Sequence, residues 1–242
     1  MRFFVVAALA ALPVAAQWKL PASAVKLEGP AAKTADGKPD LSGIWEQAST
    51  KHFLNLMADM KADEYPYKPE TKAIVDSRKN GAQGRFEPDA NCLPQGVPKI
   101  NAAPVPFKIV QTPNLVVLVY EAFNLWRQVH LDGRELLEDP NPTWLGYSAG
   151  HWDGDTLVVE SRGFNGKPWL DMAGNPGSES LHVTEKFHRT SLGSMDLEIT
   201  IDDPKMYTRV WTAKEKLRLV QNTEIMEFIC LENEKDLKHM VN

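Results

Sequence analysis

Cysteine is scarce in this chain: Cys92 and Cys230 are the only two in 242 residues, and no Cys-x-x-Cys pair exists to hold a metal or run dithiol exchange. A Gly-rich phosphate loop, a Gly-x-Ser-x-Gly elbow and a His-Glu-x-x-His pair are also missing, so the obvious dehydrogenases and hydrolases drop out. Positive charge is in deficit, with 27 Lys and Arg against 32 Asp and Glu and a net charge of −5, which repels phosphate backbones and excludes a nucleic-acid footprint. No apolar run approaches the roughly 20 residues that span a bilayer core, so membrane insertion is not expected.

The longest uncharged run, Phe3 to Leu12, follows Met1-Arg2 and ends in Pro13-Val14-Ala15-Ala16. This is the pattern of a signal peptide cleaved after a small residue, here Ala16, and it implies export to a periplasmic or extracellular space. In that oxidising compartment Cys92 and Cys230 are expected to form one disulfide, two free buried thiols being the alternative. Residues 17–40, rich in Ala, Pro, Lys and Gly, read as an extended arm. Residues 41–242 then form a single β-rich domain with a helical insertion near 51–80.

The apolar pattern defines that domain. Leu41 to Trp45 reads as a first strand, and Phe53, Leu54, Leu56, Met57 and Met60 recur at roughly helical spacing. A second helix starts near Pro69-Glu70 and stops before Asn80-Gly81. Prolines and Gly96 make 85–106 a loop holding Cys92. Strands follow at Phe107 to Gln111, Asn114 to Glu121, Leu125 to Leu131 and Thr156 to Glu160, with Asp132-Gly133 and Asp153-Gly154 as hairpin turns. Further strands are expected at Leu181 to Arg189, Met195 to Ile201, Tyr207 to Ala213, Leu217 to Gln221 and Glu224 to Cys230, and a short helix over Glu232 to His239. The fold class is therefore mainly β, an antiparallel barrel or a sandwich with two or three short peripheral helices.

Two resemblances bear on this reading. Gly43-Ile44-Trp45 resembles the Gly-x-Trp of lipocalins and their calycin relatives, where the Trp closes one end of a ligand-holding barrel. Pro39-Asp40-Leu41-Ser42-Gly43-Ile44-Trp45, Pro142-Thr143-Trp144 with Gly146 and Ser148, and Gly154 to Glu160 together resemble a largely uncharacterised family of exported bacterial proteins. That likeness implies export and carries no activity.

For chemistry the chain offers two His-x-Asp pairs, His130/Asp132 and His151/Asp153, each on one face of an extended strand, where the carboxylate can orient the imidazole. His182 begins a strand after a Gly/Ser-rich loop and joins them as a candidate, whereas His188 reads as part of a solvated face. Converging, these residues support acid/base catalysis of the lyase, isomerase or hydrolase kind on a small organic molecule, with His151 the most sensitive position. No metal and no cofactor is expected, since no third ligand is fixed by spacing. Trp144, Trp126, Tyr120 and Trp169 can line an apolar or carbohydrate-binding cleft with Asp171 at its edge, core packing being the competing use of the rings and an Asx turn that of Asp171. The competing function is a periplasmic or secreted, lipocalin-like protein that binds a small ligand without turnover.

Overall fold

Strict alternation builds most of the molecule. The computed structural model describes residues 27–79, 86–230 and 232. The expected leader, its cleavage point and the start of the expected arm lie outside the described residues, as does all but Glu232 of the C-terminal helix expected from the sequence. Nine strands follow one another around a closed barrel. They are β1 (Gly43–Gln47), β2 (Phe107–Gln111), β3 (Leu115–Tyr120), β4 (Trp126–His130), β5 (Tyr147–Asp153), β6 (Thr156–Arg162), β7 (His182–Arg189), β8 (Ser194–Asp202) and β9 (Trp211–Val220), and β9 pairs back onto β1. Three short helices, α1 (Lys51–Leu54), α2 (Pro69–Lys79) and α3 (Lys99–Ala102), lie between β1 and β2. The barrel is thus the correct branch of the barrel-or-sandwich expectation.

Inward residues alternate with outward ones: Met195, Leu197, Ile199 and Ile201 of β8 are all buried, facing Trp211, Ala213 and Leu217 of β9 in register. In α2, Pro69 supplies a pre-formed first turn, Glu70 and Arg78-Lys79 sit at the helix ends favoured by the backbone dipole, and Thr71 and Val75 face inward one turn apart.

Five local expectations need correction. Asp132-Gly133 does not close a hairpin, because the following segment has no alternation and carries Pro140 and Pro142. The chain instead travels back along the barrel, and β5 starts beside the last residues of β4 and runs in the same direction, so β4 and β5 pair in parallel, only at Val129↔Ser148 and His130↔Ala149. The segments Tyr207 to Ala213 and Leu217 to Gln221 are one turn plus one strand. Backbone bonds from Met206 and Tyr207 to the Asp203 carbonyl hold the turn, and β9 runs unbroken through Glu215, whose charge disguised an inward position. Glu224 to Cys230 is extended but not a strand, since its backbone bonds to side chains: the Phe228 N–H donates to Asn124 Oδ1 at 3.0 Å and the Met226 N–H to Glu121 Oε2 at 3.0 Å. Finally, the 85–106 loop contains α3, and the helix expected around Phe53 to Met60 is reduced to α1 followed by turns.

The disulfide between Cys92 and Cys230 is formed, with Cα atoms 5.7 Å apart, and ties the 86–98 loop to the segment that follows β9. At one end of the barrel Trp45 is fully buried. Its indole N–H donates to the Leu41 carbonyl at 2.9 Å, and the Arg189 guanidinium lies 5.1 Å from its ring. Trp45→Ala is expected to lower stability by about 3–5 kcal/mol, the usual loss for a large buried aromatic. An unchanged denaturant midpoint would show that the Trp45 end does not depend on this ring.

At the other end α3 is the plug. All four of its residues are buried, and Asn101 points into the barrel. Lys99 pairs with Glu87 and, at 2.9 Å, with Asp89, which leaves no bare charge beneath the loop.

Candidate functional site

Two polar environments arise from this architecture, one inside the barrel and one on its wall. Inside, β4 places Arg127 at the same inward phase as Val129, and β7 places Glu185 between Val183 and Phe187. Arg127 Nη2 meets Glu185 Oε2 at 2.5 Å and donates to Ser161 Oγ at 2.7 Å, while Nε donates to Ser148 Oγ at 2.8 Å. Asn101 donates to Glu185 Oε1 and accepts from the Tyr120 hydroxyl at 2.8 Å, and Gln47 donates to the Asn101 carbonyl. Burial is the largest single influence and works against the Arg127 charge, but Glu185 and Tyr120 together outweigh it and raise the arginine pKa. Burial also raises the Tyr120 hydroxyl pKa, so this ring serves as a hydrogen-bond donor. Toward the Trp45 end, Leu41, Ile109, Val116, Leu118, Val159 and Phe187 close in until no room for a water molecule remains. That half of the barrel is a packed core, so the ligand-holding lumen implied by the Gly-x-Trp likeness is filled there.

Space exists on the wall instead. Where β4 and β5 part, a groove of about 940 Å³ opens beneath the 131–146 strap, within the range of small-molecule sites. Trp126, Gln128 and His130 of β4 form one side and Tyr147 with Leu145 the other, with Leu136 and Leu137 of the strap across them. Trp126 and Leu137 are each 61% exposed, unusual for large apolar side chains adjacent to one another. Gly150 makes the strap's close approach possible: a Cβ there would meet Leu131 Cδ2 and Val129 Cγ1 at 3.0 Å and the Val158 carbonyl at 2.9 Å. Around the strap, and sharing Gly133 to Leu136 and Ala149 with the groove, lies a polar annex of about 410 Å³ bearing His151, Glu160, Arg162 and Glu138.

The residues picked from sequence are therefore divided. His130, Asp132 and Trp126 line the groove, and His151 lines the annex. Asp153 is exposed beside the β5–β6 turn, and His182 lies at the start of β7 with Nε2 3.8 Å from Glu160 Oε1. Asp132 faces Arg134, which grips both its oxygens at 2.9 and 2.5 Å and holds its pKa down at about 2. Trp144 sits outside the groove, with the Lys167 ammonium 5.9 Å from its ring.

Three of the expected cleft residues belong to the interior. Tyr120 is in the lumen network. Trp169 is 7% exposed beneath Arg78, whose guanidinium is 4.4 Å from its ring. Asp171 is fully buried and organises its own loop: it accepts from the Leu56 N–H at 2.9 Å, the Asn175 N–H at 3.2 Å and Asn175 Nδ2 at 2.5 Å. Burial raises its pKa against those bonds. The Asx-type use of Asp171, and core packing for Tyr120 and Trp169, are what the fold requires.

Arg127, Glu185 and Glu215 were overlooked in the sequence, although each interrupts an apolar alternation at an inward position, and that interruption is a readable signal. Leu136, Leu137 and Leu145 follow no period and gave none. Among the described residues no three His, Cys, Asp or Glu side chains gather closely enough to hold a metal ion. No protein-family model matches the chain, and no curated protein is detectably similar to it.

Proposed function

We propose that this chain is an exported protein that binds a small organic molecule with an apolar or aromatic body in the wall groove between β4 and β5. The carrying observation is the groove itself: about 940 Å³, bordered by Trp126, Leu137 and Tyr147, in a barrel whose Trp45 half is packed solid. The leader-like N-terminus and the Cys92–Cys230 disulfide support export, and among the described residues no helix is long and apolar enough to cross a membrane.

Acid/base catalysis by His130 and Asp132, or by His151 and Asp153, ranks second. Asp132 is engaged by Arg134, and among the described residues no carboxylate hydrogen-bonds to His130 or His151, so the orienting contact of a general base is not assembled in this conformation.

N-phenyl-1-naphthylamine, a neutral aromatic probe that brightens in apolar sites, is expected to bind with a micromolar dissociation constant. Trp126→Ala is expected to weaken it at least tenfold, and Leu137→Asp comparably, while both variants unfold at the wild-type midpoint because the replaced side chains are mostly exposed. Wild-type titration curves in both variants would remove the groove from consideration.

A further inference from the structure

Among the described residues, every tryptophan except one has a cation or another ring against it. The guanidinium of Arg189 lies 5.1 Å from the Trp45 ring and that of Arg78 4.4 Å from Trp169, while the ammonium groups of Lys167 and Lys38 lie 5.9 Å from Trp144 and 5.8 Å from Trp152. Trp211 meets the Tyr207 ring at 5.4 Å in an edge arrangement. Trp126 has neither kind of neighbour, although it is 61% exposed on one side of the groove. Tyr147, on the other side, is likewise without a cation or ring partner among the described residues. Both rings border the space with π faces that no group of the protein has claimed.

The charges around that space are unbalanced in the sense that suits those faces. Asp132 is answered by Arg134, and Arg127 by Glu185. What is left along the groove and its annex is Glu135, Glu138 and Glu160 against Arg162 alone, an excess of two negative charges with the histidines counted neutral. Among the described residues Glu135 and Glu138 form no ion pair, and Glu160 has only His182 Nε2 at 3.8 Å. Glu135 holds the deciding place, since it lines both the apolar groove and the polar annex. A cleft with apolar walls and one sign of charge in excess focuses its field on whatever enters.

Resting on the reading of the groove as a ligand site, we propose that its ligand is an organic cation, an alkylated ammonium carried on an aromatic or aliphatic body. The body lies against Leu136, Leu137 and Leu145, and the charged nitrogen sits at the border of groove and annex, among Glu135 and the faces of Trp126 and Tyr147. An alkylated ammonium spreads its charge over the carbons attached to the nitrogen, so it answers an aromatic face and a carboxylate together. An anion is repelled by the rim, and a bare metal ion gains nothing from the leucines.

The test compares three ligands of one shape on the intact disulfide-bonded protein by calorimetric titration: (2-naphthylmethyl)trimethylammonium, the neutral 2-(2-naphthyl)ethanol and the anionic 2-naphthylacetate. The ammonium is expected to bind at least tenfold tighter than the alcohol, and the acetate more weakly than either. Glu135→Gln, and Trp126→Leu, which keeps an apolar wall without a π face, are each expected to cut the ammonium-to-alcohol ratio at least threefold. If N-phenyl-1-naphthylamine binds the groove but the three naphthalenes bind alike, or the acetate binds best, the cation proposal is overturned and the groove reading stands. A ratio unchanged in both variants places the cation elsewhere and overturns the proposal as well. If calcium chloride displaces the ammonium where sodium chloride of equal ionic strength does not, the carboxylates take a bare metal ion and the organic cation is overturned. If N-phenyl-1-naphthylamine does not bind, the groove reading itself falls, and this proposal with it.

Discussion

Arg127→Met is expected to lower stability by about 3–5 kcal/mol, because it leaves the fully buried Glu185 carboxylate without its countercharge. The loss arises from the pair more than from the arginine. Ser148 and Ser161 lose their shared donor, yet their hydroxyls lie 2.9 Å apart and can satisfy each other. Glu185 keeps only Asn101. The double variant Arg127→Met, Glu185→Leu is therefore expected to recover most of the loss, since apolar replacements of a buried pair are often neutral or better. Denaturant midpoints of the two variants and the wild type decide the matter. A single variant as stable as the wild type would mean that the lumen pair contributes nothing to holding the barrel shut.

Glu215→Gln is expected to make the protein more stable than the wild type at alkaline pH, and about equal to it at pH 4.5. Glu215 is 5% exposed, points into the barrel between Ala213 and Leu217, and among the described residues its oxygens make no hydrogen bond of good geometry, Gln47 being the neighbour that bears on them. Burial, reinforced by the neighbouring Glu185 charge and only partly offset by Gln47, pushes its pKa from 4.5 up to about 8. A carboxyl with a raised folded-state pKa binds its proton in the native state while the unfolded chain has released it. Stability then falls as pH rises from 4.5 to about 8 and levels off beyond. The full difference amounts to roughly 3–5 kcal/mol at 1.36 kcal/mol per pH unit. Other groups also titrate in this window, so the quantity to measure is the gap between variant and wild type in urea midpoint at pH 5, 7 and 9. A gap that does not widen with pH would mean that Glu215 reaches solvent or a partner when ionised.

The barrel was legible where side chains alternate and turn residues follow. β2 was read with the bounds it has, and β3, β4, β7 and β8 within one residue at each end, since the pattern of Phe107-Lys108-Ile109 or Met195 to Ile201 leaves one geometry that buries the apolar set. The start of α2 was legible through Pro69, and the disulfide through the cysteine count and the leader-like N-terminal sequence. Legibility failed where a residue answers to a distant partner. Glu215 and Arg127 sit at apolar positions because the lumen supplies polar company, and Asp171 has the sequence dress of a cleft residue but serves the Leu56 and Asn175 amides. Asp132-Gly133 carries a hairpin dipeptide, and only the absence of a returning strand until Tyr147, fourteen residues after Gly133, shows that no hairpin forms. Within the site, Trp126, His130 and Asp132 were picked for their chemistry and do share the groove. The strap leucines opposite them have no pattern of their own, because what places them is the path of the chain.

Nine is an odd number, and that alone obliges the barrel to carry a parallel joint. Around a closed ring of strands, direction must return to its starting sense, so the antiparallel joints are even in number and an odd ring retains at least one parallel joint. Eight joints here are antiparallel and the ninth is β4–β5. The shallow two-pair seam and the long return that arches over it both descend from this arithmetic. Adding a strand to the barrel, or deleting one, would let every neighbour alternate, and the groove would have no reason to exist.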